Sequence, residues 1–165
     1  MTFTQMSRSN VTAMTTSPDT DGPNNTSPVN RAIIEEFRRN AGRVGGDFAG
    51  TSLLLLTTRG ARSGLPRTTP LVYLPDGDRL VVFASNGGAP AAPGWFHNVV
   101  RSPDVFVEVG AERFAARTVV VDEHEHDELW RRQVERNPAF AGFRARAGRT
   151  IPLVALEWAP APDAG

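Results

Sequence analysis

Two pairs of β-favouring runs in this chain are joined by segments too short to hold a crossover helix. The first pair comprises residues 69–74 and 79–85, with the turn-forming sequence Pro-Asp-Gly-Asp at residues 75–78 between them. The second pair comprises residues 105–109 and 114–121. Because parallel strands need connections of a dozen or more residues, these two hairpins argue against a fold of repeated βαβ units.

Two further runs bring the predicted strands to about six. Residues 52–58 contain four consecutive leucines, a pattern typical of a strand covered on both faces. Residues 151–158 are predicted to form the last strand, where Pro152 suits either an edge strand or the beginning of a strand. We therefore predict an α+β fold, in which a small antiparallel barrel carries peripheral helices.

The helices are predicted from apolar residues at helical spacing and from their capping residues. The first helix would begin with Asn30 as its N-cap and stop at Gly42. One or two helical turns would cover residues 95–100. Asp122, with Glu125 three positions later, resembles a capping box at the start of a longer helix.

The chain is predicted to hold one domain and two tails. Residues 1–29 are rich in small polar residues and proline and contain only scattered apolar residues, which predicts a disordered N-terminal tail. The folded domain is predicted at residues 30–158, because a chain of 165 residues leaves little room for two cores. A short C-terminal tail would cover residues 159–165.

Composition excludes several kinds of chemistry. The 18 basic residues, all arginine, balance 18 acidic residues, so no global field favours nucleic acid or an anionic membrane. Without lysine or cysteine the chain has no Schiff-base amine, thiolate nucleophile or disulfide. No apolar run is long enough to span a bilayer. We predict a cytoplasmic protein that is not inserted in a membrane.

The loop at residues 60–67 combines glycines, arginines and a hydroxyl. Glycine lets the backbone approach an oxygen closely, and the guanidinium groups of Arg62 and Arg67 can bind phosphate or carboxylate in a bidentate manner. The sequence therefore predicts a clamp for an anion. The alternative interpretation is a solvated arginine-containing turn, and the glycine spacing matches neither a Walker loop nor G-x-G-x-x-G.

The segment at residues 85–98 offers polar groups and an aromatic plate. Ser85 and Asn86 leave a predicted strand, and Trp95 follows a proline- and glycine-rich stretch. Hydrogen-bonding groups beside an indole suit a flat heteroaromatic ring. Core packing of Trp95 and Phe96 is the alternative interpretation.

The sequence His-Glu-His-Asp-Glu at residues 124–128 is not interpreted as a metal site. His124 and His126 lie two positions apart, so they point to different sides of the predicted helix, and we expect both to lie on its solvated first turn. His97 is the remaining histidine, and no G-x-S-x-G nucleophile elbow is present. We predict no metal.

Taken in order, the segments resemble the deazaflavin (F420)-dependent nitroreductase family, one of the split β-barrel flavin/deazaflavin oxidoreductases. The resemblance covers residues 30–157. Its parts are residues 30–50, 53–70, 74–77, 85–98, 103–109 and 149–152. The resemblance implies a split β-barrel and, as cofactor, coenzyme F420, a reduced 8-hydroxy-5-deazaflavin that carries a phosphate and an oligoglutamate tail.

The resemblance also implies which residues form the site. Arg62 and Arg67 would meet the phosphate and the glutamate tail, and Ser85 is the candidate catalytic residue. The complete set of implied cofactor-binding residues is Ala61, Arg62, Ser63, Gly64, Arg67, Ala84, Ser85, Asn86, Gly94, Trp95, Phe96, His97 and Asn98. A substrate pocket would be lined by Trp95, Phe140 and Phe143.

Two positions depart from the family pattern. Many relatives carry lysine where Asn86 stands, so one positive contact to the coenzyme is missing here. Some nitroimidazole-reducing members carry tyrosines in the segment of Phe140 and Phe143, so an apolar pocket in this chain would favour another acceptor.

The predicted function is hydride transfer from reduced F420 to an electrophilic conjugated small molecule: an enone, a quinone or a nitro-compound. Ser85, His97, Tyr73 and solvent are all open as proton donors. An FMN-binding split-barrel oxidoreductase and a non-catalytic deazaflavin-binding or storage protein are the alternatives. The resemblance further implies that a separate F420-reducing dehydrogenase supplies the reduced cofactor, and it leaves peripheral membrane contact open.

Overall fold

The computed structural model describes residues 27–46, 49–50 and 52–158. Within them, six antiparallel strands close into a barrel in the order β1-β2-β3-β6-β5-β4, which confirms the predicted fold. The strands are β1 Leu53–Arg59, β2 Pro66–Asp76, β3 Arg79–Phe83, β4 Asp104–Val109, β5 Glu112–Val120 and β6 Leu153–Trp158. The helices are α1 Pro28–Arg39, α2 Gly94–Arg101, α3 Glu123–Arg136 and α4 Ala139–Ala147.

The leucine run of β1 lies at the centre of the core. Successive side chains of a strand point to opposite faces, yet Leu53, Leu54, Leu55 and Leu56 are each at most 1% exposed. One face is turned into the barrel, and the other is covered because α2 packs against β1 while α1 packs against the neighbouring β2. The prediction of a strand covered on both faces is confirmed.

The hairpins extend further than the sequence pattern indicated. β2 begins at Pro66 and pairs with β1 as far as Arg59, so the loop between these strands is only residues 60–65 and Arg67 belongs to a strand. The last strand begins at Leu153, directly after Pro152, and pairs with both β3 and β5. Of the two predicted settings for Pro152, the structure therefore shows a strand beginning and not an edge strand. Closure of the barrel is what removes the edge.

The first helix begins earlier than predicted. Ser27 is its N-cap, since the Ser27 Oγ accepts a hydrogen bond from the Asn30 N–H at 3.3 Å, and Pro28 occupies the first turn. Asn30 is therefore not the cap but a fully buried residue of that turn. Residues 28 and 29 thus belong to α1 and Ser27 caps it, whereas residues 1–26 and 159–165 of the predicted tails lie outside the described residues.

At the start of α3 only one of the two hydrogen-bonding parts of the predicted capping box forms, the one made by Asp122. The Asp122 carboxylate accepts from the backbone N–H groups of His124 and Glu125, but the Glu125 carboxylate reaches Arg79 at 3.0 Å instead of returning to the cap. His126 was wrongly placed on the solvated face. It is buried and stacks on Trp130, because positions four apart share one side of a helix.

Asp76 ties the turn between β2 and β3 to α3. Its carboxylate accepts from Arg79 Nε at 2.8 Å and from Arg132 Nη1 at 2.8 Å. The hydrogen bond from Arg132 is the main reason that the pKa of Asp76 is lowered, and Arg79 adds to it against the opposing effect of burial. The folded state therefore holds this carboxylate ionised more strongly than the unfolded chain does.

We expect the Asp76→Asn variant to lose about 1–2 kcal/mol of unfolding free energy at neutral pH. Because the folded pKa lies below the unfolded value of 3.8, the wild-type advantage is complete above that pH and is lost as the pH falls through the folded pKa. Urea unfolding of both proteins at neutral pH and at about pH 3 measures this. A difference that stays the same at both pH values would contradict the assignment.

Candidate functional site

Strand direction places the predicted cofactor-binding residues at one end of the barrel. β1 ends, β2 begins, β3 ends, and β4 and β6 begin at this end, which we call the upper end. At this end the loop at residues 60–65 is bonded to α2 through Asn98, and the segment 84–93 leads directly into α2. The turns at residues 77–78 and 110–111 lie at the opposite, lower end.

The loop at residues 60–65 is held by its own backbone. The Gly60 N–H donates to the Leu65 carbonyl at 2.8 Å, and the Gly64 N–H donates to the Gly60 carbonyl at 2.9 Å. Ser63 Oγ accepts from the Leu65 N–H at 3.0 Å, so this hydroxyl shapes the loop. A Cβ on Gly60 would lie 2.9 Å from Ser63 Oγ, which explains the glycine at this position.

Asn98 joins this loop to α2. Its Oδ1 accepts from the Ala61 N–H at 2.9 Å, and its Nδ2 donates to Thr58 Oγ1 at 3.0 Å. Both polar atoms of the side chain are thus engaged with the protein. Asn98 holds the end of β1 and the start of the loop in fixed positions.

The two predicted anion-binding arginines differ in environment. Arg62 is exposed in the turn, and no ion pair among the described residues involves it. Arg67 is half-buried, and this burial lowers the pKa of its guanidinium. Desolvation makes a charge less favourable until an opposite charge approaches, so an anion at Arg67 would be stabilised.

The segment after β3 adopts left-handed backbone. Asn86, Gly87 and Gly88 have φ values of 51°, 64° and 89°, while Ser85 just before them is right-handed. A right-handed residue followed by a left-handed one forms a concavity of N–H groups that suits an anion or a carbonyl oxygen. Ala84, Ser85 and Asn86, which the resemblance assigns to the cofactor site, are at most 5% exposed.

Two further contacts define this segment. Asn86 Nδ2 donates to the Ala91 carbonyl at 2.9 Å. A Cβ on Gly88 would meet Phe143 O at 3.2 Å, so α4 packs closely against the turn. A longer side chain at Gly88 would separate α4 from the segment.

Arg149 is the residue of this site that sequence reasoning missed. Its guanidinium donates to the carbonyls of Ala84 at 3.1 Å, Ser85 at 3.4 Å, Ala89 at 3.2 Å and Ala91 at 3.1 Å. Burial lowers its pKa. The available signal was an arginine directly before the last buried strand, within one of the segments that carried the family resemblance.

The aromatic residues fall into two groups. Gly94 opens α2, and Trp95 in its first turn is buried with its Nε1 lacking a hydrogen-bond partner among the described residues. Phe96 lies edge-on to both the Trp95 ring and the exposed His97 ring. The core-packing interpretation of Trp95 is thereby supported, without testing whether the indole also contacts a cofactor.

Phe140 and Phe143 belong to a separate cluster. Phe140 packs edge-on against Phe83 at 5.3 Å and against Trp130 at 6.0 Å between ring centroids, and Phe143 lies 4.9 Å from Phe140. Within the described part of the chain no ring contact joins this cluster to Trp95. The substrate pocket of Trp95, Phe140 and Phe143 stays a prediction.

The lower end carries charges of both signs. A cavity of about 250 Å³ lies there between α1 and the β4–β5 turn, but Arg38 in its wall donates two hydrogen bonds to the Glu108 carboxylate, at 2.9 and 2.7 Å. Groups of three or more His, Cys, Asp or Glu side chains that could hold a metal are absent from the residues that the structure covers. None of the described helices is long and apolar enough to cross a bilayer.

The closed six-stranded antiparallel barrel matches the fold of solved F420-dependent reductases. The model of the F420H(2)-dependent quinone reductase family matches residues 29–157, and the chain belongs to this family. Its cofactor is accordingly coenzyme F420, and the protein is an F420H2-dependent oxidoreductase. The family resemblance drawn from the sequence is confirmed.

Individual proteins show the same relationship. The chain is 40% identical over 124 residues to the F420H(2)-dependent quinone reductase Rv1261c of Mycobacterium tuberculosis, covering 73% of this chain and 83% of that one. Among solved structures, an F420-H2 dependent reductase, FDR-A, is 31% identical with a TM-score of 0.59 and covers 64% of this chain and 94% of its own. A domain-swapped dimer is 28% identical with a TM-score of 0.62 and covers 77% and 96%.

Proposed function

We propose that this protein transfers a hydride from reduced F420 to a quinone, with enones and nitro-compounds as further acceptors. The observation that supports this most is that α2 connects two segments, because it follows residues 84–93 directly and its Asn98 bonds to the loop at residues 60–65. The name of the M. tuberculosis relative, a quinone reductase, supports the choice of acceptor.

The residues of the upper end fit the charged part of the coenzyme. Arg62 and Arg67 supply guanidinium donors for a phosphate and for glutamate carboxylates. The desolvation that lowers the pKa of Arg67 favours an anion partner there. Asn98 does not serve as a direct ligand in this proposal, because both of its polar atoms hold the loop.

The residues after β3 fit the ring. The turn that begins at Ser85 and continues through the left-handed Asn86 would face the deazaflavin, and α2 would border it with Trp95 and Phe96. When bound, the reduced deazaflavin supplies a hydride from its C5 position. The contribution of the chain is to hold ring and acceptor in one orientation and to exclude water between them.

Hydride transfer to a quinone also requires a proton donor. The hydroquinone product needs one proton for each hydride, from a side chain or from water. Tyr73 pairs with Val82 near the end of β3, and burial raises its pKa, which makes its hydroxyl a weaker proton donor. Ser85 stays the candidate in contact with the reacting atoms, and His97 is an exposed alternative on α2.

The decisive experiment mixes the protein with chemically reduced F420 and menadione and follows the absorbance of oxidised deazaflavin. We expect a protein-dependent rate that saturates with both reactants. The rate should be lost on heat denaturation. Absence of such a rate with menadione, an enone and a nitroaromatic would overturn the reductase proposal.

Two other outcomes have their own signatures. Tight FMN binding with a yellow purified protein would favour the FMN alternative, and F420 binding without turnover would favour a storage protein.

We also propose that a separate dehydrogenase supplies the reduced coenzyme in the cytoplasm. Peripheral contact with a membrane, where hydrophobic quinones reside, would appear as co-sedimentation with lipid vesicles.

A further inference from the structure

The Arg149 guanidinium binds backbone carbonyl groups of the segment that follows β3. Nη2 faces the carbonyl oxygens of Ala84, Ser85 and Ala91, and Nε donates to that of Ala89. These four carbonyls come from both ends of the turn at residues 86–88. A single side chain therefore closes the segment into a loop.

Peptide geometry gives this loop two different sides. In a trans peptide the C=O and the following N–H point in opposite directions, and the described residues contain no cis peptide bond. Since the Ala84 carbonyl points to Arg149, the N–H group of Ser85 points away from it. The N–H groups of Gly88 and Ala89 are used inside the turn, where they donate to the carbonyls of Ser85 and Asn86.

The backbone segment that carries Arg149, residues 149–152, is itself held in place. The Pro152 carbonyl accepts from the Ala84 N–H at 2.9 Å, and the Ile151 carbonyl lies 2.7 Å from His126 Nε2. The segment at residues 149–152 is thus anchored to the barrel and to α3. Through the hydrogen bonds of Arg149, the loop is in turn fixed to this segment.

We propose that Arg149 is a positioning residue for the reaction, which turns the N–H group of Ser85 toward the deazaflavin ring by holding the carbonyl side of its loop. This inference rests on the proposed function. A direct contact between Arg149 and the phosphate of the coenzyme is the competing role, and the two roles differ in the part of the coenzyme that they affect.

The test compares Arg149→Lys and Arg149→Gln with the wild type. Lysine keeps the charge but cannot spread its donors over four carbonyls, so both variants should show the effect. Binding is measured for F420 and for its 8-hydroxy-5-deazaflavin riboside fragment, which lacks the phosphate and the glutamates. Arg144→Lys and Arg144→Gln on α4 are the matched controls, because Arg144 is exposed and its one described side-chain contact is the Trp130 ring.

We expect both ligands to bind about tenfold more weakly to the Arg149 variants, by the same factor, as for the loss of one charge-assisted hydrogen bond. Hydrogen exchange of the protein without cofactor should become faster at residues 84–92, while the Arg144 controls stay as the wild type. This second measurement does not need the coenzyme to bind.

Three results would overturn the inference. Weaker binding of F420 alone would assign Arg149 to the phosphate. Unchanged binding of both ligands would leave it a stabilising residue only, and unchanged exchange at residues 84–92 would show that it does not hold the loop. Failure of the wild type to bind F420 would instead count against the proposed function.

Discussion

Replacing Arg62 and Arg67 together by alanine is expected to weaken F420 binding at least about 100-fold, since a hydrogen bond to a charged group contributes about 1.5–3 kcal/mol. Arg62 is exposed, and Arg67 is half-buried with a pKa lowered by desolvation. An anion that binds here neutralises a charge already removed from water. Arg67→Ala alone should therefore be more damaging than Arg62→Ala alone.

The measurement is a fluorescence or calorimetric titration at two ionic strengths. Wild-type affinity should fall as salt is added, and this dependence should shrink in the double variant because the attraction is electrostatic. The matched control is Arg39→Ala with Arg43→Ala, which removes the same charge beside the lower end. Equal effects of the two double variants would mean that overall charge, and not this loop, governs binding.

Asn98→Ala is expected to weaken F420 binding by about 10- to 100-fold although Asn98 makes no direct ligand contact in our proposal. The variant removes the bridge between the Ala61 N–H and Thr58 Oγ1, which leaves the Ala61 N–H without its partner and Thr58 Oγ1 with only its long hydrogen bond to the Arg67 carbonyl. The loop then gains freedom that binding must remove. Titration with F420, together with urea unfolding, gives both effects.

Asn98→Asp separates the bridge from the charge. A carboxylate of the same shape still accepts from the Ala61 N–H, and the Thr58 hydroxyl can turn to donate to it, so the unfolding free energy should stay close to that of the wild type. The added negative charge should weaken F420 binding in a manner that salt relieves. If Asn98→Ala binds F420 as tightly as the wild type, the bridge does not organise the site.

Local signals predicted those parts of the fold that short segments decide. The turn at residues 75–78 lies between β-favouring runs, and the structure has the corresponding turn at residues 77–78 between β2 and β3. Asp122 is the N-cap of α3 as its spacing indicated. The first helix shows the limit, because Ser27 and Asn30 are both good caps and the choice depends on burial of Asn30 against the barrel.

The site itself was predicted by resemblance and not by local pattern. The arginines and glycines of the loop indicated a clamp for an anion at Arg62 and Arg67, but a solvated turn has the same composition. The order of matching segments, and then family membership over residues 29–157, identified the cofactor as F420 but did not test the clamp. The role of each residue is left for the variants above.

By itself the sequence determined the strand-and-turn order, the lack of lysine and cysteine chemistry, and the set of segments that identify an F420-dependent reductase. Only the tertiary structure decided that Asn98 holds the loop 37 residues before it and that Arg149 holds the segment 58–65 residues before it. It also buried His126 and brought Phe140 against Phe83. The physical reason is that turns and caps depend on neighbouring residues, whereas a guanidinium finds its carbonyls only after the barrel has closed.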